Sequence, residues 1–182
     1  MGTVRTHEAS TSLREAMQSG ALKDWTQALT GVVVSTFAEM GWRGAARGHR
    51  SDLLPVPRSE YLALDVVTFE TAGDRRWRFP IGVFELENSP ADDPVAYSLW
   101  KVLCVRANLR VVFCYREDAG AGSELVGHLA DAVVQSMEIP TRSGLGGETL
   151  VIAGSRSQTA TFPYGFFKDW TLDLNTGRFR RN

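Results

Sequence analysis

The stretch GVFELENS, Gly82–Ser89, begins like a buried strand and ends in acid. Gly82, Val83, Phe84 and Leu86 suit a protein interior, yet Glu85 and Glu87 are set among them. In extended chain, successive side chains point to opposite faces. Val83, Glu85 and Glu87 therefore share one face, and Gly82, Phe84 and Leu86 the other. Two carboxylates on one side of an apolar strand need either water at a sheet edge or a partner that offsets their desolvation.

Upstream, YLALDVVTF (Tyr61–Phe69) is rich in β-formers and predicts a strand. Asp65 falls on the face of Tyr61, Ala63, Val67 and Phe69, opposite Leu62, Leu64, Val66 and Thr68. Apolar residues on both faces predict a central strand with Asp65 at least partly buried. WRFPIGVFELE (Trp77–Glu87) predicts the next strand, with TAGDRR (Thr71–Arg76) as a hairpin connection and Pro80 marking a bulge. Such a hairpin would bring Asp65 beside Glu85 and Glu87. Converging carboxylates repel one another, and a hard divalent cation such as Mg²⁺, which takes oxygen ligands and keeps several waters, relieves that repulsion. The backbone carbonyl of Leu86 would point into the same site, because alternation turns its side chain away. The alternative is an edge strand whose glutamates are solvated and an Asp65 that caps a bulge. Spacing leaves both open.

The rest of the chain alternates helix and strand. Residues 1–20 form a polar segment with a short helical stretch at Leu13–Met17. Leu22, Trp25, Leu29, Val32, Val33, Phe37 and Met40 recur at spacings of three and four, an amphipathic helix that Gly41-Trp42 ends. WRGAARGHR (Trp42–Arg50) is a strand or loop. Val95, Leu99, Val102 and Leu103 mark a second helix, with Pro94 in its first turn. LRVVFCYR (Leu109–Arg116) is a strand, EDAGAGS (Glu117–Ser123) a turn, and Ser123 the cap of a helix running through Met137. ETLVIAGS (Glu148–Ser155) is another strand, and WTLDLNTGRFRR (Trp170–Arg181) a hairpin. This order predicts one α/β domain over residues 21–182, a sandwich with a central mixed sheet flanked by helices.

Composition narrows the function. The chain has 182 residues, 43% hydrophobic and 23% charged, as in ordinary globular domains. No apolar run approaches the ~20 residues of a membrane span, and the N-terminus lacks a signal-peptide core, so the expectation is a cytoplasmic protein. A net charge of −1 excludes a global basic field. Arginine nonetheless supplies 17 of the 20 basic residues, clustered at Arg43/Arg47/Arg50, Arg75/Arg76/Arg78 and Arg178/Arg180/Arg181, patches for phosphate or for water. Cys104 and Cys114 lie in apolar surroundings and read as buried free thiols. His7, His49 and His128 lack metal-ligand spacing, with His49 a candidate phosphate contact, and neither GxSxG nor a Walker A sequence is present. The aromatic run TFPYGFFKDW (Thr161–Trp170) reads as packing.

LDVVTF followed by GVFELENS and AYSLWKVLCVRANLRVVFCY (Ala96–Tyr115) resembles the PD-(D/E)XK nuclease superfamily over roughly residues 22–154. The resemblance implies a restriction-endonuclease-like fold and a Mg²⁺- or Mn²⁺-dependent endonuclease acting on nucleic acid, DNA in particular, as a homodimer or with a partner protein. It makes Asp65 and Glu85 metal ligands, alongside the Leu86 carbonyl. Glu87 stands where the family usually has lysine and implies an ExE variant in which it orients or deprotonates water. Leu64 replaces the proline of the family name. Lys101, on the following helix, is the substitute lysine at the scissile phosphate. Gln27, with Asp24 or Glu39 as alternatives, would be the polar residue of the first helix. The rival implication is a nuclease-fold protein without catalysis, serving in binding or assembly.

Overall fold

Strong β-formers at Val111, Val112, Phe113 and Tyr115 place an extended segment early in the chain's second half, and the structure builds outward from it. A computed structural model describes residues 7–18, 22–72 and 76–182. They fall into two compact units, residues 1–81 and 82–182.

The first unit contains α1 (His7–Gln18), α2 (Leu22–Glu39), β1 (Trp42–Ala46) and β2 (Val66–Glu70). α2 buries Trp25, Leu29, Val32, Val33 and Phe37 of the stripe its spacing predicts, while Leu22 and Met40 at the ends of that stripe are exposed. α1 packs on α2, and α2 on β1. Gly44 lets that helix approach closely, since a Cβ there would lie 3.3 Å from Val34 Cγ2. β1 and β2 pair antiparallel, with Trp42 opposite Glu70 and Ala46 opposite Val66.

Two expectations change in this unit. α1 is longer than the short turn expected and buries Leu13. β2 starts at Val66, not Tyr61. Leu62 and Ala63 have φ of 59° and 54°, in the left-handed region, and the Leu64 N–H donates to the Tyr61 carbonyl. The Tyr61 hydroxyl donates to the Val56 carbonyl at 2.8 Å and accepts from the Arg58 N–H at 3.0 Å. Those bonds hold the segment as a turn despite its β-forming composition.

The second unit contains β3 (Gly82–Leu86), α3 (Asp92–Leu103), β4 (Leu109–Arg116), α4 (Ala119–Leu129), a π-helical turn (Ala130–Val134), α5 (Ile139–Ser143), β5 (Glu148–Ser155), β6 (Phe167–Asp173) and β7 (Arg178–Arg181). β3, β4 and β5 run parallel, and β6 and β7 continue antiparallel. This is the mixed sheet with flanking helices that the sequence predicts. β3 is shorter than expected, because residues 77–81 lie outside the strand; the TAGDRR connection falls partly outside the described residues. α3 packs on β3 and β4, and α4 on β5. The face beneath them holds Val83, Glu85, Val112, Cys114, Val151, Ala153 and Trp170, by alternation and register.

α4 starts four residues before the expected Ser123 cap. Asp118 is the N-cap, its Oδ1 accepting from the Ala121 N–H at 2.9 Å. The glycines that suggested a turn belong to the helix, and Gly122 brings it onto Ala153 and Trp170, where a Cβ would sit at 3.6 and 3.7 Å. On the opposite sheet face, Phe162 and Phe166 are buried in edge-to-face contact with Phe167. The packing reading of that aromatic run stands.

Cys114 is fully buried, but Cys104 is exposed, correcting the expectation of two buried thiols. Cys104 is the C-cap of α3, one residue past its last turn.

A close fit on the aromatic face gives a direct test. A Cβ on Gly154 would lie 2.6 Å from Tyr115 Cδ1 and 2.8 Å from Phe166 Cε1. Gly154→Ala should cost about 1–3 kcal/mol in urea denaturation, through overpacking.

Candidate functional site

The second unit turns its most unusual charge inward. Glu85, the fourth residue of β3, is 4% exposed. Its Oε2 accepts from Lys101 Nζ at 2.7 Å and from Ser98 Oγ at 3.4 Å. Ser98 and Lys101 are three residues apart on α3, so both point from one face of that helix. The amphipathic pattern of α3 thus supplies a hydroxyl and an ammonium at the depth where the strand supplies a carboxylate. The Lys101 ammonium also lies 5.3 Å from the centroid of the Tyr97 ring, which stacks on Trp100 at 5.8 Å. Both aromatic rings are exposed.

Glu87 lies just beyond the end of β3. Its N–H still donates to the Phe113 carbonyl at 2.8 Å, and its Oε1 accepts from the Ser89 N–H at 2.8 Å. The side chain therefore shapes the turn leaving the strand. Arg116, at the C-terminal end of β4, braces that loop: it donates to the carbonyls of Ser89 and Ala91 and pairs with Asp92 at 2.7 Å. Cys114 lies under these charges. Burial pushes its thiol up to about 12; Arg116 lowers it, and Asp92 and Glu87 raise it.

Asp65 belongs to the first unit, half-buried just before β2. Glu85, Leu86, Glu87 and Lys101 belong to the second. Gln27, Asp24 and Glu39 are exposed on α2, and His49 is exposed beside its bridge to Ala46. Among the described residues, no three His, Cys, Asp or Glu side chains are grouped so as to hold a metal ion. The oxygen donors fit a hard cation by type, and the sulfur of Cys114 is too deeply buried to compete.

Ser98 and Arg116 were not among the residues expected here. Arg116 carried a signal, because it continues the alternation Val112, Cys114, Arg116 of a buried face. Ser98 carried one only once Lys101 was fixed.

No family model matches the chain, and no curated protein does. A solved structure of NucC from E. coli MS115-1, in its cAAA-bound form, is similar over 96% of this chain and 78% of that one, with 14% identity and a TM-score of 0.49. Residue roles do not transfer at that level of likeness.

The ion pair makes a sharp stability prediction. Glu85 is almost wholly buried and Lys101 only partly, so the pair lies between exposed and buried limits. Lys101→Met should cost about 2 kcal/mol, since it strands a carboxylate. Glu85→Gln in the same protein should recover part of that loss. A double-mutant cycle by chemical denaturation measures the coupling.

The thiols make a second. In the native protein, iodoacetamide should modify Cys104 and spare Cys114. Because the folded pKa of Cys114 is raised from 9.0 to about 12, its contribution to stability is complete below pH 9 and is lost as pH climbs toward 12. Cys114→Ala should flatten stability over that window in pH-dependent melting.

Proposed function

We propose that this chain is a Mg²⁺-dependent nuclease acting on DNA, with Glu85 as its central acid. The observation that carries the reading is the buried Glu85 carboxylate at 2.7 Å from the Lys101 ammonium, an acid and a cation from a strand and its following helix. The pair lies in the parallel part of the sheet, and Glu87 follows within two residues.

Glu85 and the Leu86 carbonyl would hold the cation. The resemblance gives Asp65 the same role; because Asp65 belongs to the first unit, its part is tested separately. When bound, Mg²⁺ or Mn²⁺ supplies Lewis-acid polarisation of a phosphate and a water of lowered pKa. Lys101 keeps positive charge beside the carboxylate and would meet charge developing on a phosphate oxygen. Glu87, tied to the turn at Ser89, would orient water from the strand end.

A second reading has its own observation. Lys101 already compensates Glu85, so the site needs no cation for stability, as in a nuclease-fold protein that binds or assembles without cutting.

Metal titration separates the two. If Glu85 ligates metal, Lys101→Met should gain more thermal stability from Mg²⁺ or Mn²⁺ than the wild type does, because the ion takes over the role of the ammonium. Saturation at a hundred times Kd corresponds to about 2.7 kcal/mol. Asp65→Asn and Glu85→Gln should shrink the wild-type response and abolish cleavage of plasmid or single-stranded DNA. Equal metal responses in all four proteins, with no cleavage, select the non-catalytic reading.

A further inference from the structure

Apart from the acid site, the second unit has a cleft of about 370 Å³ lined by Leu103, Cys104, Val105, Arg106, Arg110, Thr141, Gly144 and Leu145. No acid is among these residues. Arg110 is 1% exposed, the largest fully buried side chain among the described residues. Its Nε donates to the Val105 carbonyl at 3.0 Å, and its terminal nitrogens donate to those of Gly146 at 2.9 Å and Leu145 at 3.1 Å. A guanidinium has five N–H groups, so each terminal nitrogen keeps one more donor. Burial lowers the Arg110 pKa, but arginine remains charged at any physiological pH.

The sign of the cleft follows from a charge count. α3 ends here, and a helix C-terminus carries about half a negative charge, with less from the short α5. Arg110 and Arg106 bring two full positive charges. Arg110 thus neutralises the carbonyl ends and leaves an excess that no lining carboxylate cancels. Thr141 adds a hydroxyl, and Leu103, Val105 and Leu145 add apolar wall. The remainder, about one to one and a half positive charges, falls within the range that a phosphate monoester spans between its monoanion and its dianion, and a phosphate accepts paired N–H donors from a guanidinium.

We infer that this cleft binds a small phosphomonoester, its phosphate against Arg110 and Arg106 and a compact apolar group against Leu103, Val105 and Leu145. The volume falls in the range of small-molecule sites and exceeds what phosphate alone fills. This site is independent of the nuclease reading.

Cys104 gives the cleft its own reporter: it is exposed in the lining, whereas the other cysteine is buried. The test measures iodoacetamide modification of Cys104 by mass spectrometry, with inorganic phosphate or phenyl phosphate added at constant ionic strength. Iodoacetamide is neutral, so the cleft's charge does not bias its approach. At about ten times Kd, occupancy should slow modification about tenfold. Phenyl phosphate should protect at lower concentration than phosphate. Arg106→Gln, at an exposed position, should weaken protection by both. Arg110→Met should abolish it if the variant folds, but the test does not depend on it. Protection by neither probe, protection matched by sodium chloride, or undiminished protection in Arg106→Gln would each overturn the site.

Discussion

Glu85 sets the terms for the second unit. Once β3 is buried on both faces, alternation forces this carboxylate under α3, where its charge costs several kcal/mol unless compensated. Ser98 and Lys101 provide compensation from one side of α3. The helix is thereby fixed in rotation as well as position, because turning it by one residue would exchange a lysine for an apolar neighbour at the carboxylate. A parallel β–α–β connection leaves the crossover helix free to slide in principle. Here apolar packing at Val95, Leu99 and Val102 provides adhesion, and the ion pair provides register.

Charge buried on the same sheet face also organises the loops. Arg110 and Arg116 stand at opposite ends of β4, in phase with Val112 and Cys114. One binds the carbonyls of Val105, Leu145 and Gly146, the other those of Ser89 and Ala91. Arg142 does likewise for Leu174 and Asn175. A guanidinium suits this use because its planar fork reaches several carbonyls at once and is weakly hydrated. The arginines grouped in sequence behave differently. Arg43 pairs with Asp52, Arg178 with Asp131 and Arg180 with Asp173, all exposed at the arginine. Clustering in sequence marked surface at these three, though not at Arg78, which donates to the carbonyls of Glu70 and Ala72; phase within β4 marked structure.

That contrast explains what could be read beforehand. β4 and β5 were legible because strong β-formers in both extend over eight residues. α2 was legible from its stripe. The strand expected from Tyr61 failed at its first half, because the bonds of the Tyr61 hydroxyl to Val56 and Arg58 and a left-handed Leu62–Ala63 pair are invisible to propensity. The start of α4 was missed because glycine was read as a turn former when its role at Gly122 is close packing. Of the candidate site, spacing put Glu85 and Glu87 on one strand face but left a solvated edge open, and only the family resemblance singled out Glu85 and placed Lys101 at a phosphate. What spacing could not give was the partner: the distance from Lys101 to Glu85 depends on how a helix rotates over a sheet, which is a tertiary quantity.

The direction of the parallel strands then separates two kinds of chemistry. Open sheets of this kind present their ligand-binding loops beyond the carboxyl ends of the strands, where loops begin and backbone groups run out of partners. Glu87, Arg116 and Asp92 lie at that end, close to Glu85 and far along the strand from Arg110. The cleft at the opposite end of β4 is positive where the first end is rich in carboxylates. α3 spans the interval between them, with Lys101 in its last turn and Cys104 at its cap. The ion pair that fixes the register of α3 thus sits within one turn of the cleft wall. Any shift of that helix end must also alter the distance across which Lys101 compensates Glu85.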